Sequence, residues 1–177
     1  MEYREMLLEE AEKISEIDAE CYIKNAWRMD AETSTYKLVE IDWTDYELPN
    51  GLEWHLDGFR ESMAHGGKAF GCFDRGKLVG YGTIGAQVFG DSQKYVLLDQ
   101  LFVSKDYRNR HVGHQLMYMC AEAAKEMGAE KLYLCAGSSE DTIAFYKKMG
   151  CVPAMEIDKE LLEEDPNDIQ LEYELDS

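Results

Sequence analysis

Apolar positions recur along this chain with two different periods, and each change of period marks a new element. Leu52, Leu56, Phe59 and Met63 return every turn of a helix and predict a helix over 52–64. Val112, Leu116, Met119, Ala123 and Met127 do the same over 112–127, where Gly128 supplies the stop. Ser138-Ser139-Glu140-Asp141 offers two N-cap candidates for a third helix, ending at Gly150. Other segments have the composition of strands. Segments 21–29 and 36–43, rich in Tyr, Ile, Val and Trp, read as short paired strands. Segments 69–73 and 77–88 flank Asp74-Arg75-Gly76 and read as a hairpin with a glycine turn. Segment 95–103 is largely apolar, as a central strand should be, and 131–135 is the next strand. Segments 151–157 and 169–175 read as final strands around an acidic loop containing Pro166. The acidic start, 3–19, reads as helix. The order predicts an α+β fold, a mixed and mostly antiparallel central sheet flanked by helices.

Length and charge narrow the picture. A chain of 177 residues with 45% hydrophobic content fits one domain, 1–177, with a core of ordinary size. It holds no apolar run long enough for a membrane span, and its N-terminus lacks the basic start of a secretory signal. The dispersed cysteines Cys21, Cys72, Cys120, Cys135 and Cys151 contain no C-x-x-C pair, which points to reduced thiols, no metal and a cytoplasmic setting. A net charge of −18 disfavours nucleic acid, whose affinity rests on phosphate contacts. Trp27, Trp43 and Trp54 are expected in the core, and His55 and His65 on the surface.

Against this acidity stands one basic cluster. Segment 95–103 leads into a polar turn holding Lys105, Arg108 and Arg110, then His111-Val112-Gly113 and a helix. The first turn of a helix carries N–H groups without partners and the positive end of the macrodipole, so strand, basic turn and helix together suit a phosphate. The G-x-x-x-x-G-K-[ST] pattern of P-loop proteins is absent.

These residues resemble a known family, the GCN5-related N-acetyltransferases. That family's Gln/Arg-x-x-Gly-x-Gly/Ala pattern corresponds to Arg108-Asn109-Arg110-His111-Val112-Gly113. Its second motif, a strand, an Asn and a helix ending in Tyr-x-x-x-Gly-Phe, corresponds to 132–150, and Leu78-Val79-Gly80 matches its first hairpin. The likeness covers about 68–177, leaving 1–67 to shape an acceptor site. Three positions depart from the pattern: His111 replaces a glycine, Ser139 replaces the Asn, and Cys151 replaces the Phe. A left-handed backbone at position 111 would strain a histidine.

The resemblance implies a sheet splayed at an acyl-CoA site, and acetyl transfer from acetyl-CoA, as co-substrate, to a primary amine. Amides of Asn109, Arg110, His111, Val112, Gly113 and His114 would cradle the pyrophosphate, with Arg108 and Ser139 beside it. Leu101, Phe102 and Val103 would pair with the pantetheine arm, and one amide near Phe102 or Val103 would hold the acetyl oxygen. Tyr146 stands where the family places a phenol beside the thioester sulfur. The implied partner is a small-molecule or peptide amine, with no nucleic acid and no membrane. A non-catalytic acyl-CoA sensor is the alternative, and monomer and homodimer both remain open.

An amine arrives as ammonium and must lose a proton before it attacks. Asp99 is the leading acceptor for that proton, directly or through water, because a carboxylate among Leu97, Leu98 and Leu101 needs a reason to be there. Strict alternation puts Asp99, Leu101 and Val103 on one face of the strand, and Gln100 and Phe102 on the other. The acidic run Glu156, Asp158, Glu160, Glu163, Glu164, Asp165 and Asp168 would favour a cationic acceptor if it bordered the site.

Overall fold

The computed structural model describes residues 1–176. Each segment with a helical apolar period forms a helix: α1 (Leu52–Ala64), α2 (Val112–Glu126) and α3 (Glu140–Met149). The strands are β1 (Glu2–Glu5), β2 (Cys21–Asp30), β3 (Thr35–Asp45), β4 (Lys68–Asp74), β5 (Lys77–Ile84), β6 (Tyr95–Val103), β7 (Lys131–Ala136), β8 (Val152–Pro153) and β9 (Ile169–Glu174). A short helix, α4 (Lys159–Glu164), interrupts the acidic loop.

Seven strands make one sheet in the order β1-β4-β5-β6-β7-β9-β8, and β2 and β3 form a separate antiparallel hairpin. Only β6 and β7 run parallel, because α2 crosses over between them. On one face α2 buries Val112, Leu116, Met117 and Cys120 against Val79, Val96, Leu98, Leu132 and Leu134. Gly80 and Gly82 let α2 approach closely: a methyl on Gly80 would lie 3.0 Å from Val112 Cγ1, and one on Gly82 3.0 Å from Cys120 Sγ. On the other face Leu56 and Phe59 of α1 pack with Met6, Ile14, Leu78 and Tyr81.

Four expectations need correction. The first segment is not a helix throughout: Glu2–Glu5 pairs with the edge of β4, and a 3-10 helix follows over Leu8–Glu16. Glu10 fixes the change of direction, pairing with Arg4 at 2.6 Å and accepting the Leu7 N–H at 3.0 Å. The expected strand over 151–157 keeps only Val152–Pro153, since Met155 N–H instead reaches Glu172 at 3.0 Å. Trp43 and Trp54 are exposed, whereas Trp27 on β2 packs against the α2 core. His55 is buried at 2% exposure.

Candidate active site

The basic turn folds into a cradle of backbone N–H groups. Asn109 has φ 59° and His111 φ 62° with ψ 11°, so the histidine does occupy a left-handed position. Alternating backbone of this kind turns successive N–H groups to one side. Arg108 N–H bonds Lys105 O at 3.3 Å and Gln115 N–H bonds His111 O at 3.1 Å. Between them, no described group accepts from the amides of Asn109 through His114. These donors sit at the positive end of α2. The Arg110 guanidinium stacks 5.1 Å from the centroid of Tyr107. A methyl on Gly113 would come within 3.2 Å of the Phe145 ring, so glycine lets α3 close on the first turn of α2. Burial, His111 and Lys148 hold His114 below the usual histidine range. Lys148 on α3 therefore belongs to the same positive region; no local motif marks it, and only packing of α3 on α2 brings it there.

Arg108 does not face this cradle. Its Nε donates to Val103 O at 3.0 Å, Nη1 to Glu20 O at 2.8 Å and Nη2 to Ala19 O at 3.3 Å. The guanidinium ties the end of β6 to the segment before β2, bracing the turn.

β6 and β7 pair from Tyr95↔Lys131 to Leu98↔Leu134 and no further. Beyond that point no strand covers the edge of β6 through Leu101, Phe102 and Val103, where Val103 O accepts from Arg108, while its other edge stays paired to β5 as far as Val103. The sheet is splayed there. At the far side of the gap β2 bridges onto the β7–α3 turn, with Ala26 opposite Ser139 and Trp27 N–H bonded to Ser138 O at 2.8 Å. Ser139 caps α3, accepting the Thr142 N–H at 3.3 Å.

Asp99 stands where the splay begins, and a bulge directs it. Thr83 pairs with Gln100 and Ile84 with Leu98, so Asp99 has no partner on β5. The extra residue breaks the alternation. Leu98, Leu101 and Val103 pack on the α2 side, while the Asp99 carboxylate turns toward α1, 3.9 Å from where a methyl on Gly58 would lie. Strict alternation had put Asp99 with Leu101 and Val103; the bulge overturns this. Burial, reinforced by the charge of Glu164, pushes the Asp99 carboxyl up to about 6. Tyr146 packs on the α2 core, and burial, then Cys151, Cys120 and Asp168, hold its hydroxyl well above the usual phenol range.

The acidic loop divides in two. Glu156 and Asp158 are structural. Glu156 accepts the Ser92 N–H at 2.9 Å and the Asp91 and Gln93 N–H groups, which holds it near 2, and Asp158 caps α4 through the Leu161 N–H at 3.0 Å. Glu164 and Asp168 instead face the splay. Burial and then Asp165 push Asp168 up to about 6, and its charge reaches both Tyr146 and Cys135. Cys135 on β7 also senses Asp99 and Glu164, so four groups from β6, β7, α4 and the residue before β9 share one electrostatic environment. Sequence order alone did not single out Asp168 and Glu164 from their acidic neighbours.

A family model described as the acetyltransferase (GNAT) family matches residues 26–151. The chain belongs to that family. No curated protein sequence matches it. Solved structures are similar in fold. Nourseothricin acetyltransferase superposes with a TM-score of 0.74 at 20% identity, covering 99% of this chain and 98% of that one. The putative streptothricin acetyltransferase from Bacillus anthracis, in complex with acetyl coenzyme A, gives 0.70 at 16% identity over 99% and 98%. The PaiA N-acetyltransferase from Thermoplasma acidophilum, in complex with coenzyme A, gives 0.60 at 16% identity over 98% of both chains. No helix among the described residues is long and apolar enough to cross a membrane.

Proposed function

We propose that this GNAT member transfers an acetyl group from acetyl-CoA to a primary amine of a cationic small molecule or peptide, by direct attack of the amine. The observation that carries the reading is the open β6 edge, with six unpartnered amides at one end and a half-buried carboxylate at the other. In this reading the amides of Asn109 to His114 hold the pyrophosphate, Arg110 and Lys148 add charge, and Leu101 to Val103 pair with the pantetheine arm. The donor set fits: it is all N–H and cation, as a diphosphate requires. Arg108 braces the turn.

Asp99 takes the proton of the incoming ammonium. A carboxyl near 6 is largely ionised at neutral pH yet more basic than an ordinary aspartate. The freed amine then forms the C–N bond, an amide near Phe102 or Val103 holds the developing oxyanion, the nitrogen gives its second proton to solvent, and the C–S bond breaks. The Tyr146 hydroxyl, protonated at neutral pH, donates to the departing thiolate and recovers its proton from solvent. Glu164 and Asp168 supply negative charge at the mouth, which supports a cationic acceptor. Structures named for nourseothricin, streptothricin and aminoglycoside acetyltransferases share the fold, which supports a small-molecule acceptor.

The test is a panel of amines with release of free thiol as the readout. Cationic diamines and polyamines should outperform neutral and acidic amines, with KM rising as salt is raised. An acidic best substrate would remove the assignment of Glu164 and Asp168. Tight acetyl-CoA binding with no thiol release for any amine would leave a binding role alone.

A further inference from the structure

Beneath α1 lies a closed group of buried polar side chains that the proposed reaction does not use. His55, Tyr81 and Gln100 are 2%, 0% and 1% exposed. The Tyr81 hydroxyl donates to Gln100 Oε1 at 2.7 Å, and Gln100 Nε2 donates to the His55 carbonyl at 3.3 Å. His55 Nε2 lies 2.7 Å from the Pro49 carbonyl and Nδ1 3.4 Å from the Tyr81 hydroxyl. Only a protonated Nε2 can pair with a carbonyl, so the Pro49 contact sets the tautomer. Trp54 and Phe102 enclose the ring edge-on, with centroids at 4.9 and 5.0 Å. Burial keeps this imidazole below the usual range, hence neutral. The group ties together the loop before α1, α1 itself, β5 and β6.

Gln100 is the residue after Asp99. Gly58 lies one turn beyond His55 on α1, and a methyl there would stand 3.0 Å from Gln100 Nε2 and 3.9 Å from Asp99 Oδ2. Glycine within a helix is unfavourable relative to alanine, and here its bare Cα brings the helix backbone down onto the β6 bulge. The seating of α1 therefore decides how much water reaches Asp99 from that side.

We infer that His55 is a positioning residue for Asp99: by donating Nε2–H to the Pro49 carbonyl and packing its ring between Trp54 and Phe102, its side chain seats α1, so that Gly58 stays against the bulge and shields the carboxylate. This rests on the reading of Asp99 as the proton acceptor. The other groups facing Asp99 are the Tyr81 hydroxyl from β5, the Gln100 amide from β6, Cys135 from β7 and Glu164 from α4. Glu164, whose charge acts on Asp99, belongs to α4 and not to the seat of α1, so loosening α1 changes the solvation of Asp99 and leaves that charge in place.

The experiment is a carbon-13 NMR titration of the Asp99 carboxyl in the full chain. The signal is assigned by its loss in Asp99→Asn. The parent is compared with His55→Phe, which keeps the ring packing and removes the Pro49 bond, and with Gly58→Ala, which wedges α1 off the bulge. In both variants the midpoint should fall by about one pH unit toward the ordinary carboxylate range, because water reaches the group. His55→Gln, which restores a donor for Pro49, should recover most of the shift. Unmoved midpoints in the folded variants would overturn the inference; if His55→Phe fails to fold, Gly58→Ala decides. The acid limb of kcat/KM is recorded alongside. A midpoint that falls while the limb stays would uphold the seat and remove Asp99 from the reaction, so the two failures are distinct.

Discussion

Replacing Asp99 by Asn should abolish most activity and at the same time stabilise the fold. The folded carboxyl titrates near 6 against an ordinary value of 3.8, a difference produced mainly by burial. The folded pKa is raised, so the folded state binds more protons than the unfolded state between those values. Its relative stability therefore falls as pH rises from about 4 to about 6, and the whole penalty is present at pH 7. Two pKa units correspond to about 3 kcal/mol; partial hydration and the coupling to Glu164 reduce the expectation to about 1–3 kcal/mol. Asn keeps the shape of the neutral acid, so the variant should gain that amount in urea denaturation at pH 7. The gain should shrink steadily as pH falls toward 4. In the thiol-release assay the rate should drop by about 10²–10⁴-fold, and the acid limb near pH 6 should disappear. A variant that is less stable than the parent at pH 7 would show that the carboxylate is well partnered in the fold. A variant that is inactive but retains the limb in its residual rate would assign the titration to another group, with Asp168 next in line because it too is raised to about 6.

Four further outcomes follow from the same geometry. Arg110→Ala should weaken acetyl-CoA binding by about 1–2 kcal/mol in calorimetry with the fold unchanged. Arg108→Ala should instead lower the melting temperature, since three backbone carbonyls lose their donor; equal affinity losses would mean that Arg108 also reaches the pyrophosphate. His111→Gly relieves a left-handed side chain, so acetyl-CoA affinity should stay level or improve by about 1 kcal/mol; lost turnover with intact binding would give the imidazole a chemical role. Tyr146→Phe keeps the core contacts and removes the proton donor, so the rate should fall about 10²–10⁴-fold with the melting temperature nearly unchanged. A full-rate Phe variant would leave water as the donor.

The sequence alone determined the three main helices, the hairpin of β4 and β5, the central strand β6 and the turn of unpartnered amides before α2. Each rests on local interactions: a periodic apolar face, a glycine turn, or unpartnered amides where a helix begins. The strain at His111 was legible for the same reason, because backbone conformation at a helix start is set by a few neighbouring residues. The first residues read as helix because their composition favours one, but the open edge of β4 offered backbone partners that propensity cannot see. The direction of Asp99 depended on a bulge defined only by pairing with β5, and a single extra residue turned its side chain to the opposite face. Tertiary packing likewise took Arg108 away from the cradle, brought Lys148 to it, and buried His55. It also sorted one acidic run into Glu156 and Asp158, which hold loops, and Glu164 and Asp168, which face the splay. All four are carboxylates of one acidic run in the sequence; what separated them was which backbone N–H groups the folded chain left within reach.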